Sequence, residues 1–397
     1  MRYIIIGISA AAVGTINKLR QLDASAQILV FSDEKELPYN KCFLADYVAG
    51  QKEEQSVFTL SPALWEIKKL TVHLGTRITH IDSVKKTVTT EFGLVYHYDK
   101  LCIATGSSPI TPRLPGVDCQ GVYTFHSLAD SNSLLSSFAK YGSPRIVIVG
   151  AGLTGLECAD ALYKRGAQVT VVEMREQVLA HFITPQAATI IQDKMAECGV
   201  SFINNQQVVS LIHNDGQATG ILLSSGKIIE ADAVVFTIGV RPNSSLAVDA
   251  GLQLDGKGIA VNEYMQTSNE HIFAAGDVIT ITELLSKNKM HSCTWPDAMM
   301  QGIIAAHGML GIKKPYPGAA LILSSAFFGL KVAVSYGANS IQADQELNEA
   351  TEQRYLHLKI INGALKSFMI VGQTSCMPIL KRMILLGEPF DKGKVID

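Results

Sequence analysis

The chain has 397 residues, 47% of them hydrophobic and 18% charged, a length that suits two or three domains with cores of their own. Its 34 lysines and arginines nearly balance 36 aspartates and glutamates, so the formal net charge is -2 and nothing favours nucleic acid or anionic lipid as a partner. The seven cysteines form no CxxC pair and no His/Cys cluster with ligand spacing, so we expect no metal centre. Their odd number and wide spacing predict a reducing cytoplasm.

The N-terminal stretch MRYIIIGISAAAVGTI combines one basic residue with an apolar run, a pattern that signal peptides share. A buried strand ending at Gly7, followed by a helix over AAAVGTINKLRQL, accounts for it better, because the later apolar residues have helical spacing. No other run of about 18 apolar residues occurs, so we expect no membrane span.

This strand and helix, with the following strand QILVF, have the order of a weakened dinucleotide-binding unit. Small residues stand where the full motif has three glycines, and they still permit close approach of a ligand to the backbone. Two acids after QILVF are candidates to reach a ribose. The candidate residues of this first unit are Gly7, Ser9, Ala12, Asp33 and Glu34.

The strongest signal in the sequence is RIVIVGAGLTGLECADALYKRGAQVTVVEM, residues 145–174. A buried strand meets Gly150, Gly152 and Gly155, a helix follows, and a second strand ends at Glu173. Gly150 permits the tight turn, Gly152 lets a pyrophosphate approach the backbone, and Gly155 lets helix and strand pack closely. Glu173 is expected to accept hydrogen bonds from ribose hydroxyls and to repel a 2′-phosphate, which favours NADH over NADPH.

Two further apolar segments run into turns of small residues: KLCIATGSSPITPRLPG at 100–116 and HIFAAGDV at 271–278. With TIGVRPN at 237–243, they complete a set of motifs in a characteristic order. Over nearly its full length the chain resembles the pyridine nucleotide-disulfide oxidoreductases related to glutathione reductase, which use FAD and NAD(P)H. In that family the first unit binds FAD and the second binds NAD(P)H.

The resemblance implies an α/β fold with two Rossmann-like dinucleotide-binding domains and a small α+β C-terminal domain. The FAD-binding domain would comprise residues 1–115 and 241–315. The NAD-binding domain would comprise residues 116–240, and the C-terminal domain residues 316–397.

The resemblance also implies roles for individual residues. Asp277 of AAGD would bind FAD hydroxyls near the ribityl chain, and Ala104, Thr105 and Gly106 would lie along the FAD. Gly239 of TIGVRPN is counted among the cofactor-binding residues.

Two further matches concern the reacting end of the cofactors. Glu157 matches a family acid that lies near the nicotinamide and the flavin. The segment WPDAMMQG matches the family pattern W-P-x-A-x-x-Q-G, so Trp295 and Pro296 would lie at the flavin end of a helix whose N-terminus, just after Pro296, stabilises negative charge on a reduced flavin.

Within the family, PYNK at 38–41 resembles the branch of NADH:rubredoxin reductases and of the flavin module of nitrite reductases. Toward the C-terminus, two strands joined at Asn362-Gly363 and then a helix are predicted. Ferredoxin-reductase-like relatives often carry a lysine where this chain has Asp46, and that lysine pairs with the acid matching Glu157. In this chain Lys41 is the alternative partner, and it is also predicted to contact the cofactor.

Cys42 occupies the position where NADH peroxidases, NADH oxidases and coenzyme A disulfide reductases carry a single redox cysteine, but Phe43 replaces the glycine that follows it in them. If a helix begins at Cys42, its dipole and Lys41 would lower the pKa of the thiol. No second cysteine stands four or five residues away, which excludes a CxxxxC disulfide. A redox role and packing beside the flavin both stay open, and packing is preferred.

We interpret the chain as a flavoprotein oxidoreductase that contains FAD, takes hydride from NADH and passes electrons to a small redox protein such as rubredoxin or to a small-molecule acceptor. One alternative is a single-cysteine NADH oxidase, peroxidase or coenzyme A disulfide reductase that uses Cys42. Another is a flavin-bound NADH sensor or regulatory partner. The sequence names no acceptor and leaves the oligomeric state open, a homodimer included.

Overall fold

The structure is a computed structural model that describes residues 1–58, 69–284, 287–291, 293–335, 341–351 and 354–395. The chain divides into two compact units. The first comprises Met1–Phe43, Glu53–Ser108 and Val240–Ala319, and the second comprises Leu44–Lys52, Pro109–Gly239 and Ala320–Asp397.

The described residues up to 109 form these strands and helices: β1 (Arg2–Ile6), α1 (Ala10–Leu22), β2 (Gln27–Phe31), α2 (Leu44–Val48), β3 (Leu70–His73), β4 (Ile78–Asp82), β5 (Thr87–Thr90), β6 (Val95–His97), β7 (Lys100–Ile103) and β8 (Ser107–Pro109). Short 3-10 turns lie at Lys41–Phe43 and Glu54–Val57.

The middle of the chain forms the next set: β9 (Val122–Thr124), α3 (Leu128–Tyr141), β10 (Arg145–Val149), α4 (Leu153–Lys164), β11 (Gln168–Val172), α5 (Pro185–Glu197), β12 (Ser201–Ile203), β13 (Val208–Asn214), β14 (Gln217–Leu223), β15 (Ile228–Glu230), β16 (Ala233–Phe236) and β17 (Val240–Pro242).

The described C-terminal residues form the remaining elements: α6 (Ser245–Asp249), β18 (Leu254–Asp255), β19 (Gly258–Ile259), β20 (Ile272–Ala274), β21 (Ile281–Thr282), β22 (Lys289–Met290), α7 (Trp295–Met309), β23 (Ile322–Phe327), β24 (Leu330–Ser335), β25 (Gln345–Ala350), β26 (Arg354–Ile361), β27 (Ala364–Gly372) and α8 (Met377–Leu386). A last 3-10 turn lies at Lys392–Lys394.

The first unit is built on a parallel sheet with the strand order β20-β7-β1-β2-β3. Strand β1 is its centre, where Ile4 pairs with Leu29 on one side and Leu101 on the other. Its contiguous branched residues are buried, as expected for a strand covered on both faces. The first strand and helix therefore form as the sequence predicts.

Helices α1 and α7 cross closely because each has a glycine at the contact. A Cβ on Gly302 would lie 2.0 Å from the carbonyl oxygen of Ala11, and a Cβ on Gly14 would lie 2.4 Å from that of Met299. The Thr15 hydroxyl also donates to the Gly302 carbonyl at 3.1 Å. This crossing holds α7 against the helix that follows the Gly7 turn.

The second unit contains another parallel sheet, ordered β12-β11-β10-β16-β9, in which Ile148 of β10 pairs with Val171 and Val235. It also contains an antiparallel sheet ordered β23-β24-β27-β26-β25, of which the sequence predicts only strands β26 and β27. The predicted hairpin at Asn362-Gly363 is present. Both turn residues have positive φ, 51° and 72°, as a type I′ turn requires.

Among the described residues, no helix has both the length and the apolar character that crossing a bilayer requires.

Candidate active site

The turn after β1 brings two strand ends together in the first unit. Gly7 has φ +111°, and a Cβ there would lie 2.1 Å from the carbonyl oxygen of Ala104, just after β7. Ser9 is the N-cap of α1, and its side chain makes no capping hydrogen bond within the described residues. Ala12, in the first turn of α1, is fully buried. The start of α1 therefore presents backbone N–H groups, which an anion can bind.

The two acids after β2 have different surroundings. Asp33 is exposed, whereas Glu34 is partly buried and accepts hydrogen bonds from the Tyr39 hydroxyl at 2.7 Å and from Lys41 Nζ at 3.3 Å. Lys41 therefore forms an ion pair with Glu34, which lies in the same unit. Glu34 is therefore the more firmly held of the two candidate ribose acids.

The AAGD turn after β20 is fixed by hydrogen bonds to two other segments. Asp277 accepts from the Ser107 hydroxyl at 3.0 Å, and the backbone N–H of Gly276 donates to the side chain of Gln301 at 2.8 Å. Desolvation raises the pKa of Asp277, while Ser107 and the charge of Lys41 oppose that rise. The result is a polar, partly buried carboxyl on a turn that two hydrogen bonds hold.

The ATG segment after β7 is joined to the RPN segment by reciprocal bonds. The Thr105 hydroxyl donates to the Asn243 carbonyl at 3.0 Å, and the Asn243 amide donates to the Thr105 carbonyl at 2.9 Å. The Asn243 N–H also donates to the Gly106 carbonyl at 2.9 Å. Asn243, the last residue of the TIGVRPN segment, therefore holds Thr105 and Gly106 in place.

Helix α7 begins at Trp295, before the start just after Pro296 that the sequence predicts, so Pro296 lies in its first turn. Asp297 follows and accepts hydrogen bonds from the Tyr316 hydroxyl and, at 3.0 Å, from Gln301 Nε2. Desolvation and the Asp297 charge raise the pKa of Tyr316. This network connects the start of α7 to the AAGD turn.

In the second unit, the three glycines of the GAGLTG motif meet three different requirements. A Cβ on Gly150 would lie 2.7 Å from the Thr237 carbonyl oxygen, and one on Gly155 would lie 2.0 Å from the Gly150 carbonyl oxygen. A Cβ on Gly152 would meet no atom of the described residues within 4 Å. Gly150 and Gly155 thus serve close packing, and the space beside Gly152 is open. Gly239, after β16, accepts from the Ile110 N–H at 2.9 Å.

Glu173 lies directly after β11, and its carboxylate is held by backbone donors. Its two oxygens accept from the N–H of Ala151 at 2.8 Å and from the N–H of Arg175 at 2.9 Å. The acid is therefore fixed beside the glycine turn, where the spacing predicts it.

Glu157 lies on α4, one turn after Gly152, and is partly buried. Its Oε1 accepts a hydrogen bond from the Ser325 hydroxyl at 2.5 Å. Burial raises the pKa of Glu157, Ser325 lowers it, and the negative charge of Asp46 raises it further. The residue at the position of the family's lysine thus disfavours ionisation of Glu157 instead of favouring it.

Cys42 is exposed and lies in the 3-10 turn that precedes α2. Its backbone N–H donates to Asn40 Oδ1 at 3.0 Å. The α-helix begins at Leu44, so the premise that Cys42 is its first residue is wrong. The Asn40 carbonyl accepts from the Phe43 N–H at 2.9 Å and closes the 3-10 turn instead, and Cys42 is not part of a protein core.

Comparisons with known proteins agree with this arrangement. The family model for the pyridine nucleotide-disulphide oxidoreductases matches residues 1–302. An NADH oxidase of Methanocaldococcus jannaschii is 31% identical over 335 residues, covering 82% of this chain and 73% of its own. A rubredoxin-NAD(+) reductase of Pseudomonas putida is 30% identical over 318 residues, covering 80% of this chain and 82% of its own.

Among solved structures, the NAD-dependent persulfide reductase from A. fulgidus superimposes with a TM-score of 0.91 at 26% identity, covering 98% of this chain and 77% of that chain. Fold and site together define an NAD(P)H-dependent flavoprotein oxidoreductase with two dinucleotide-binding units. The chain belongs to the pyridine nucleotide-disulphide oxidoreductase family.

The residues present fit two dinucleotides. Each unit has a helix that begins at a turn of small residues, and the open space at Gly152 and the uncapped Ser9 leave both turns accessible to a pyrophosphate. The polar carboxyls of Glu34 and Glu173 follow the second strand of each unit and suit ribose hydroxyls. The family uses FAD and NAD(P)H, and this chain retains the features that both require.

Ser107 and Asn243 belong to segments that the sequence singles out, whereas two other residues that shape the site have no signal in the local sequence: Tyr316 and Ser325. Each acts on a partner at least 19 positions away, so only the fold reveals it. Gln301 is different, because the W-P-x-A-x-x-Q-G pattern includes it.

Proposed function

We propose that this chain oxidises NADH and passes the electrons to a small electron-carrier protein of the rubredoxin type. Bound FAD supplies the redox chemistry, because it accepts hydride as a pair of electrons and releases electrons singly. The rubredoxin-NAD(+) reductase of Pseudomonas putida, which matches four fifths of the chain, carries the proposal. The protein contributes binding, orientation and electrostatics.

We assign FAD to the first unit and NADH to the GAGLTG turn of the second. Asp277 and Glu34 would hold FAD hydroxyls, with Gly7 and Ser9 at the pyrophosphate. The start of α7 at Trp295 would place a positive helix dipole at the flavin. With this assignment, we propose residues 1–115 and 241–315 as the FAD-binding domain, 116–240 as the NAD-binding domain and 316–397 as the C-terminal domain.

The preference for NADH rests on Glu173. Its carboxylate is fixed by two backbone donors and cannot turn away without losing both bonds. A 2′-phosphate would bring like charges together, which disfavours NADPH.

No second cysteine stands four or five residues from Cys42 in the sequence, so a CxxxxC disulfide is excluded and we take a carrier as the acceptor. The next cysteine in the sequence is Cys102, a buried thiol whose pKa is raised to about 12 by desolvation. The proposal therefore needs no thiol chemistry.

A second candidate function uses Cys42. The exposure of its side chain and the match to the NADH oxidase of Methanocaldococcus jannaschii favour it. In that case the thiol would take part in reducing oxygen, peroxide or a low-molecular-weight disulfide.

Anaerobic turnover separates the two. The FAD-loaded protein is supplied with NADH and with rubredoxin, hydrogen peroxide or coenzyme A disulfide in turn. The proposal expects rubredoxin to be reduced, and the second candidate expects peroxide or disulfide turnover that is lost in Cys42→Ser.

A further inference from the structure

Two acids on one face of α4 are bonded by the β23–β24 hairpin of the C-terminal sheet. The Ser325 hydroxyl donates to Glu157 Oε1 at 2.5 Å, and the Phe328 N–H donates to Asp160 Oδ1 at 2.9 Å. Glu157 and Asp160 are three positions apart, so they lie on the same side of the helix. The hairpin therefore binds α4 through two hydrogen bonds on the same side of the helix.

The second hydrogen bond, from Phe328 to Asp160, joins two buried residues. Asp160 is buried, and its other oxygen accepts from Lys164 Nζ at 2.7 Å. Phe328 is 3% exposed and lies between β23 and β24. Ser325 is only three residues before Phe328, so the bond between Phe328 and Asp160 positions the Ser325 hydroxyl near Glu157.

We propose that Ser325 is a positioning residue for Glu157: its hydroxyl, carried by the C-terminal sheet, orients the Glu157 carboxyl for its work at the nicotinamide. The inference rests on the proposed function and on the family resemblance, which implies that Glu157 lies near the nicotinamide. It gives the C-terminal sheet a part in the reaction.

Few other polar groups act on Glu157. Of the described elements packed against α4, α2 carries Asp46 and Tyr47, whose hydroxyl donates to Asn132 Oδ1 at 2.6 Å, and β11 and β23 carry no titratable residue. Arg145 at the far end of β10 is bound to Asp232 and Glu230. On α4 itself lie Cys158, Asp160, Tyr163 and Lys164, of which Lys164 is paired with Asp160.

Asp46 stands where relatives often carry a lysine. Of the influences on the pKa of Glu157 from the described residues, the hydrogen bond from Ser325 is the one that favours the ionised carboxyl. Removing its hydroxyl would leave burial and Asp46, both of which raise the pKa of Glu157. The same change would free the carboxyl to rotate. A single substitution therefore alters both the proton affinity and the orientation of Glu157.

The test compares Ser325→Ala with Ser325→Thr, which keeps a hydroxyl, and with Ser324→Ala as the matched control. Ser324 is the preceding residue of the same strand, is exposed and points to the other face. Two readouts are used. Infrared difference spectra against pH follow the carboxyl band that Glu157→Gln removes, and stopped-flow absorbance follows flavin reduction by NADH in the FAD-loaded protein.

We expect Ser325→Ala to move the Glu157 titration upward by about one pH unit and to slow flavin reduction about tenfold. Ser325→Thr should recover most of both effects, and Ser324→Ala should match the unmutated protein. FAD content should be equal in all four proteins. The unfolding midpoint should be equal in the unmutated protein, Ser325→Thr and Ser324→Ala, and in Ser325→Ala it should fall only as far as the raised pKa of Glu157 accounts for.

An unchanged titration in Ser325→Ala would overturn the inference, and so would a shifted titration with an unchanged rate of reduction. Slowing that Ser325→Thr shares, with a lowered unfolding midpoint, would show a structural role only. Failure of NADH to reduce the unmutated protein would instead reject the proposed function. The infrared titration needs no turnover, so the two failures are distinguishable.

Discussion

The backbone N–H of Ala151 donates a 2.8 Å hydrogen bond to the carboxylate of Glu173. Ala151 lies within the GAGLTG turn and Glu173 directly follows β11. The bond therefore joins the turn between β10 and α4 to the acid after the second strand. We expect an anchored carboxylate at this place to discriminate between ribose hydroxyls and a 2′-phosphate, because it has little freedom to adjust.

Glu173→Ala should therefore weaken the use of NADH and narrow its advantage over NADPH. We expect the KM for NADH to rise about tenfold, the size of effect that losing a hydrogen bond to a charged group produces. Steady-state kinetics with both nucleotides measure this. Glu176→Ala, an exposed acid three residues later, is the control and should leave both KM values unchanged. Equal efficiency with the two nucleotides before mutation would contradict this role of Glu173.

Gly7→Ala should disrupt the first unit. The substitution places a side chain at φ +111° and brings its Cβ 2.1 Å from the Ala104 carbonyl oxygen. The backbone conformation alone costs about 1–3 kcal/mol, and the clash forces the strand ends apart. We expect a lower unfolding midpoint and loss of bound FAD, measured by calorimetry and by flavin absorbance.

Gly142→Ala provides a matched control for Gly7→Ala. Gly142 also has positive φ, +71°, but a Cβ there meets no described atom within 4 Å. It should lower the unfolding midpoint without releasing FAD. If the two variants retained FAD equally, the close approach at Gly7 would not be what forms the binding turn.

Asp277→Asn should stabilise the apoprotein and weaken the binding of FAD. Desolvation raises the pKa of Asp277 above the ordinary value of 3.8, so the folded protein holds this proton more tightly than the unfolded chain does. The stability that Asp277 contributes is therefore fully present below pH 3.8 and is lost as the pH rises through the raised value. The asparagine variant cannot ionise, so its stability relative to the unmutated apoprotein should grow over that range.

Denaturant unfolding of the two apoproteins at a series of pH values tests this. Asp255→Asn, at a carboxylate that pairs with Lys289, is the control. FAD titration of the same proteins should show weaker binding only in Asp277→Asn. A constant stability difference across the acid range would mean that Asp277 is not destabilised by its surroundings.

The parts of the fold that the sequence predicted are those determined by neighbouring residues. Spacing between Gly150 and Gly155 is enough to predict β10, α4 and β11, because turn, helix start and packing all depend on a few consecutive positions. The Asn362-Gly363 turn is equally local, since both residues favour positive φ.

The parts that the sequence did not predict depend on distant contacts. Strand β25 reads QELNEA, a polar edge strand with alternating partial exposure, and gives no hydrophobic signal. The crossing of α1 and α7 depends on Gly14 and Gly302, each of which alone reads as an unfavourable helix residue. The bond from Ser325 to Glu157 spans 168 positions.

Cys42→Ser should leave the proposed reaction within a few-fold of the unmutated rate, because transfer of electrons to a carrier needs no thiol. Anaerobic dithionite titration of the FAD-loaded protein should end near two electrons per FAD in both proteins, without a long-wavelength absorbance band. An endpoint near four electrons in the unmutated protein, reduced to two by the mutation, would identify Cys42 as a redox centre.

The most direct measurement of the central proposal is the rate at which the FAD-loaded protein, under anaerobic conditions and with saturating NADH, reduces rubredoxin, hydrogen peroxide and coenzyme A disulfide. We predict a kcat/KM for rubredoxin at least about 100-fold above those for the other two, within the usual range for enzymes and their own substrates. A kcat/KM for peroxide or the disulfide that exceeded that for rubredoxin, and that disappeared in Cys42→Ser, would contradict it.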